Sequence, residues 1–244
     1  MSPTRFDSID ALRGVAIVWM TVFHFCFDLN QFGYIKQNFY IDPLWTTQRA
    51  AIVSLFVFCA GLSQAIAAQQ GQTRQRFWRR WAQVAGCALL VTAGSYAMYP
   101  KSFIYFGVLH GIALMLIVVR FSGGWGRWLW LLGALAIAIP LVAARAHIDW
   151  PEAAFLNEKA FNWLGLISKK PVTEDYVPLL PWLGVMWWGM AAGQALLARR
   201  PQWLASPLPS AAAPLTWLGR WSLTWYMLHQ PVMIGVLMAL AALK

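Results

Sequence analysis

Seven runs of mostly apolar residues, each about 20 long, take up most of this chain. They lie near 9–29, 46–68, 80–99, 102–120, 126–145, 178–198 and 221–243. No other feature constrains the fold as strongly, because a helix of about 20 residues crosses the hydrocarbon of a bilayer and satisfies its own backbone while doing so. Of the 244 residues, 59% are hydrophobic and only 11% charged, whereas a soluble domain carries about 25% charged residues. The 16 tryptophans point the same way, since indole favours the membrane–water boundary, where its N–H stays wet. The expectation is all-α: a polytopic membrane helical bundle of about seven transmembrane helices, forming a single domain over 1–244. No repeat with a period of about 20–50 residues is present, so a solenoid is not expected.

Arg5 and Arg13 flank the start of the first run, as in a signal peptide. No small-x-small cleavage site follows, however, and Asp28 falls where one would lie, so a retained helix is expected. The basic residues set the orientation. With the N-terminus in the cytoplasm, that side receives Arg5, then Arg74, Arg76, Arg79 and Arg80, then Arg120 and Arg127, and finally Arg199, Arg200 and Arg220. The far side receives Lys36, Lys101, Lys244 and the long polar connection 146–177, which holds Asp149, Glu152, Glu158, Glu174 and Asp175. The net charge of +10 is therefore spread over short loops, and no nucleic-acid partner is implied. Cys26, Cys59 and Cys87 sit singly in separate apolar runs without CxxC spacing and read as inert thiols.

The first run is not uniformly apolar. At 100° per residue, Asp10, Arg13, Thr21, His24 and Asp28 fall within one face about 80° wide, while Val15, Val18, Trp19, Val22 and Phe23 cover much of the remainder. A charge in the bilayer centre costs several kcal/mol unless it faces protein or water, so this stripe should face the interior. Asp10 and Arg13 suit an ion pair at the membrane edge as well as they suit function. His24 followed four residues on by Asp28 suits an oriented general base.

Two further histidines lie inside apolar runs. His110 is read as about eight residues into the fourth span, flanked by Gly107 and Gly111, which leave room for close backbone or ligand approach. His229 lies well into the seventh, sharing a face with Ser222 and Tyr226, and Pro231 frees backbone carbonyls nearby. These histidines come one per helix, without HxxxH or HExxH spacing, so no metal site is expected. Asp175, ahead of Pro178 and Pro181, either caps the sixth span or reaches the outer mouth of the site near Asp28. Arg49 reads either as a snorkelling side chain or as a charge partner for Asp28 or Asp175.

These residues carry a family resemblance. Arg5-Phe6-Asp7-Ser8-Ile9-Asp10-Ala11-Leu12-Arg13-Gly14-Val15-Ala16-Ile17, with Met20 and His24, resembles the start of transmembrane acyltransferases. The blocks Tyr105-Phe106-Gly107-Val108-Leu109-His110 and Asp175-Tyr176-Val177-Pro178-Leu179-Leu180-Pro181-Trp182 narrow it. They are similar to the bacterial members of the heparan-α-glucosaminide N-acetyltransferase catalytic-domain family. Leu218-Gly219-Arg220-Trp221-Ser222-Leu223, with Tyr226 and His229, resembles the last block shared across the superfamily. The lysosomal branch has additional helices and a luminal domain that are lacking here, and Asn at the position of His24.

The resemblance implies transfer of an acyl group, acetyl above all, from cytoplasmic acyl-CoA (acetyl-CoA) to a glycan or other acceptor across a bacterial inner membrane. Under it, Arg13, Arg79 and Arg80 meet the CoA phosphates, and His24 is the base, oriented by Asp28 or Asp175. His110 completes the catalytic group, while Arg49, Tyr226 and His229 contact the substrate. A homo-oligomer is left open. The rival reading is a proton-coupled transporter, since buried His and Asp also relay protons; no paired half-helices or inverted repeat supports it. A non-catalytic membrane partner is a third reading.

Overall fold

The structure, a computed structural model, describes residues 5–149 and 151–243. Lys244, counted above among the outer charges, lies outside them. The regular structure of the described residues is helical, with no strand among them and only an isolated parallel bridge between Phe106 and Tyr176. Seven helices are long: α1 (Asp7–Gln31), α2 (Pro43–Gln69), α3 (Arg74–Met98), α4 (Val108–Ser122), α5 (Trp128–Asp149), α6 (Leu179–Arg199) and, after the short α7 (Pro201–Ala205) and α8 (Ala213–Arg220), α9 (Ser222–Ala242).

Five of these helices, among the described residues, are long and apolar enough to cross a membrane: α1, α2, α4 with the turn after it, α5 and α9. The seven apolar runs thus all become helices, but α3 and α6 fall short of that standard. The arginines assigned to a loop, Arg74, Arg76, Arg79 and Arg80, instead form the first two turns of α3 and are exposed. Thr73 starts this helix by accepting the Arg76 N–H at 3.3 Å. In α6, three tryptophans, three glycines and Gln194 dilute the apolar character.

The chain divides into two compact units. One runs from Val57 to Arg200 and holds the later part of α2 with α3 to α6. Helix α5 packs closely on α6, where Gly133 and Gly184 set their backbones together. A Cβ on either glycine would strike the other's carbonyl, and such close approach is how helices associate when lipid removes the hydrophobic drive. Polar groups of α6 are tied down within the unit. Trp187 donates to Ser122 Oγ (2.8 Å), Trp188 to the Trp130 carbonyl (3.0 Å) and Gln194 to the Gly123 carbonyl (2.6 Å). The outer side of α5, with Leu131, Leu135, Leu141 and Val142, is exposed and apolar, as a lipid-facing surface must be.

The other unit holds the described residues up to Phe56 and from Pro201 onward, with α1, the start of α2, and α7 to α9. Its core is Ile17, Met20, Phe23, Phe39 and Ile52, against which Trp45, Phe56 and Tyr226 pack. Helix α8 lies across the start of α1 so closely that a Cβ on Gly219 would collide with the Asp10 carbonyl.

Candidate functional site

The polar stripe of α1 is partnered at both ends by elements of its own unit. At the start, Asp10 is 3% exposed and is held by Arg13 at 2.8 Å, by Arg5, and at 3.8 Å by Arg220 from the end of α8. Arg220 also bonds Asp7 at 2.7 Å, and Arg13 reaches the Gly219 carbonyl at 3.3 Å. Three arginines surround two carboxylates here, so the charges are closed largely among themselves. Arg13 is held in this clasp.

Further along, α1 and α9 form a ladder. Trp225 donates to Thr21 Oγ1 at 2.9 Å, and Thr21 passes its own proton to the Ile17 carbonyl at 2.7 Å. The rings of His24 and His229 meet edge-on, with centroids 5.2 Å apart and planes at 64°. Gln230 donates from Nε2 to Asp28 Oδ1 at 2.8 Å. The numbers rise together on both helices, so the first and last helices run parallel.

The tautomer of His229 follows from its partners. Its Nδ1 lies 2.8 Å from the Tyr226 carbonyl and 3.2 Å from that of Trp225. Carbonyl oxygens only accept, so Nδ1 carries the proton and Nε2 is a bare lone pair. That Nε2 is buried and has no hydrogen-bond partner; the same is true of Asp28 Oδ2 and Gln230 Oε1. Three buried acceptors on one ladder therefore lack donors, in a protein interior where such groups are normally paired. His24 is half-buried and has no hydrogen-bond partner among the described residues. Tyr226 packs on the core, with its ring 5.8 Å from that of His229.

Several expectations need correction here. Asp28 does not hydrogen-bond His24; the neutral amide of Gln230 holds it instead. Arg49, half-buried on α2, makes no ion pair with Asp28 among the described residues. The sequence could not show either outcome, because the residue opposite Asp28 is fixed only by the pairing of α1 with α9. Gln230 was missed. Its one signal is its place between His229 and Pro231.

His110 and Asp175 lie in the other unit. His110 stands in the first turn of α4, not eight residues into a helix, because the chain before Val108 is extended and bridged to the segment at Tyr176. Its ring is fully engaged. The Gly107 N–H donates to Nδ1 (3.2 Å), so the proton sits on Nε2, which donates to Thr92 Oγ1 (3.0 Å); Thr92 in turn donates to the Ile104 carbonyl (2.7 Å). Asp175 caps α4 rather than α6, with Oδ2 accepting the Val108 N–H at 2.8 Å. A side chain on Gly107 would overlap the Asp175 carboxylate, and one on Gly111 the Val177 carbonyl. Those glycines thus admit backbone and a carboxylate.

Nearby, Tyr176 donates to the Asn162 carbonyl at 2.6 Å, and Asn162 donates from Nδ2 to the Tyr105 hydroxyl at 2.8 Å. Burial, and then the neighbouring Tyr105, pushes the Tyr176 phenol well above the usual tyrosine range. Burial also raises that of Tyr105. The two sequence blocks 105–110 and 175–182 are therefore one clasp, closed further by Thr173 on the Phe103 carbonyl at 2.9 Å and by Ser102 on Glu174. On α3, Arg79 and Arg80 are exposed, Arg80 donating to Gln83 at 3.1 Å.

Apolar helices long enough to cross a membrane, with histidine, carboxylate and amide side chains packed between the first and last of them, mark an integral membrane protein. The chain belongs to the heparan-α-glucosaminide N-acetyltransferase catalytic-domain family, whose family model matches residues 5–231, nearly the whole length. That is a family of membrane acetyltransferases, so the protein is a transferase by kinship. No curated protein and no solved structure matches the chain.

Proposed function

We propose that this protein transfers an acyl group, acetyl above all, from cytoplasmic acyl-CoA to a nucleophile on the far side of a bacterial inner membrane, a glycan hydroxyl or amine. The observation that carries the reading is the His24–His229 contact between α1 and α9 in a chain of this family. The acceptor X–H attacks the thioester carbonyl. The X–C bond forms, the C–S bond breaks, and the proton leaves X for His24 and goes on to the sulfur, releasing CoA as its thiol. Arg79 and Arg80 are suited to the phosphates, since guanidinium matches phosphate oxygens with several donors. Arg13, at the start of α1, adds positive charge roughly 16 Å of helix from His24, a distance that an extended pantetheine arm covers.

Seven crossings with the N-terminus inside are part of this proposal. Parallel α1 and α9 support an odd number of crossings, and the short arginine-rich connections support the orientation. His110 and Asp175 act in it by shaping the entrance to α4, and Arg49, Tyr226 and His229 by lining the acceptor side.

Thermal unfolding of the purified protein with and without acetyl-CoA tests the reading. Stabilisation that grows with ligand concentration is expected, along with loss of an acyl-modified glycan from envelopes of cells lacking the protein. One observation favours the transporter reading: Asp28 is buried with only a neutral partner, as in a proton carrier. A protein indifferent to acetyl-CoA that moves protons in vesicles would establish that reading instead.

A further inference from the structure

A histidine base works when its second nitrogen is held, so that one tautomer dominates and the lone pair faces the substrate. Sequence offers His24 a carboxylate for this purpose, but Asp28 is held through Oδ1 by Gln230 and makes no hydrogen bond with His24 among the described residues. We propose that His229 orients His24: its bare Nε2 accepts the His24 N–H and leaves the other nitrogen of His24 free for the acceptor nucleophile. His229 is then a positioning residue, and what the freed lone pair does rests on the acyl-transfer reading.

Three observations carry this. First, the two carbonyl contacts at Nδ1 fix both the tautomer and the plane of the His229 ring, so its lone pair points in one direction. Second, that lone pair is buried and lacks a donor, which a hydrogen-bonded interior does not leave standing. Third, two polar rings abut His229, those of His24 and Tyr226. Tyr226 sits one turn earlier on the same helix and has a further interaction of its own. His24 comes from the facing helix, has no hydrogen-bond partner among the described residues, and lies edge-on, so that a turn of its ring aims an N–H at Nε2.

The chain of donors is then nucleophile to His24, His24 to His229, and His229 to the Tyr226 carbonyl. It contains no negative charge. The proton taken from the nucleophile is shared between two imidazoles until the thiolate leaves and removes it.

The test combines nitrogen NMR with kinetics on the full-length protein in lipid nanodiscs. With histidines labelled with nitrogen-15, the chain has four ring systems to resolve, and His24→Ala identifies the one of interest. A single His24 tautomer is expected in the wild type and a mixture in His229→Asn. His229→Gln, whose amide oxygen can stand near the lost Nε2, should restore the single tautomer. With acetyl-CoA as donor and envelope glycan extract as acceptor, His229→Asn should lower kcat about 100-fold, leave KM for acetyl-CoA within about twofold, and be partly rescued by His229→Gln. A folded His229→Asn protein with an unchanged His24 tautomer would overturn the inference, as would loss of the tautomer in Tyr226→Phe but not in His229→Asn. Acetyl-CoA stabilisation separates the two claims. If neither wild type nor His229→Asn is stabilised while the tautomer still depends on His229, the acyltransferase reading fails and the histidine coupling stands.

Discussion

Gln230 donates to Asp28 across the α1–α9 contact at 2.8 Å, and among the described residues it is the one side chain that satisfies any part of this buried carboxyl group. A neutral amide therefore stands where a cation would be expected. The arrangement joins the first helix to the last one turn beyond the histidine pair.

Removing that amide leaves Asp28 without a donor. Gln230→Ala should destabilise the protein by about 1–3 kcal/mol, read as a lower melting temperature in detergent. In an Asp28→Leu background the same change should cost much less, because no buried carboxyl then needs a partner. Equal losses in both backgrounds would mean that Gln230 acts through packing alone.

His24→Ala should fold, bind acetyl-CoA and lose transfer by about 100-fold or more. Gel filtration and acetyl-CoA stabilisation check the first two points, and a transfer assay the third. A folded variant working at the normal rate would remove His24 as the base.

Where α4 begins, Thr92→Val leaves the His110 Nε2–H without an acceptor, and Asp175→Ala leaves the Val108 N–H uncapped. The first should cost about 1–3 kcal/mol and the second about 0.5–2 kcal/mol. Hydrogen exchange at Val108 should rise in Asp175→Ala specifically, and unchanged exchange there would contradict the cap.

The Tyr176 phenol holds its proton to higher pH in the folded protein than in the unfolded chain. Its contribution to stability is therefore full below the ordinary tyrosine pKa of about 10 and is lost as pH rises beyond it, because the unfolded chain ionises first. Melting temperature should fall more steeply above about pH 10 in the wild type than in Tyr176→Phe. Parallel curves for the two proteins would show that burial of this phenol is not linked to folding.

Gly184→Val should separate α5 from α6, since its side chain would have to occupy the space of the Gly133 carbonyl. Loss of folded protein is expected, whereas Gly86→Ala, on an open side of α3, should be tolerated. Comparable yields of the two variants would show that this contact does not limit assembly.

The sequence by itself determined that the chain is helical and built for lipid, because the hydrocarbon requires long apolar runs and internally satisfied backbone. It also determined that Asp10, Arg13, Thr21, His24 and Asp28 share one face, because the period of the helix is fixed. The family blocks were legible as well. Partners were not, because they depend on which helices meet and in what register. Only the tertiary structure put Gln230 rather than Arg49 against Asp28, used Asp175 to cap α4, closed the His110 ring with Thr92, and set His229 against His24. An α-helix fixes the angles of its own side chains, but contacts between α1 and α9, more than two hundred residues apart in sequence, are decided by packing.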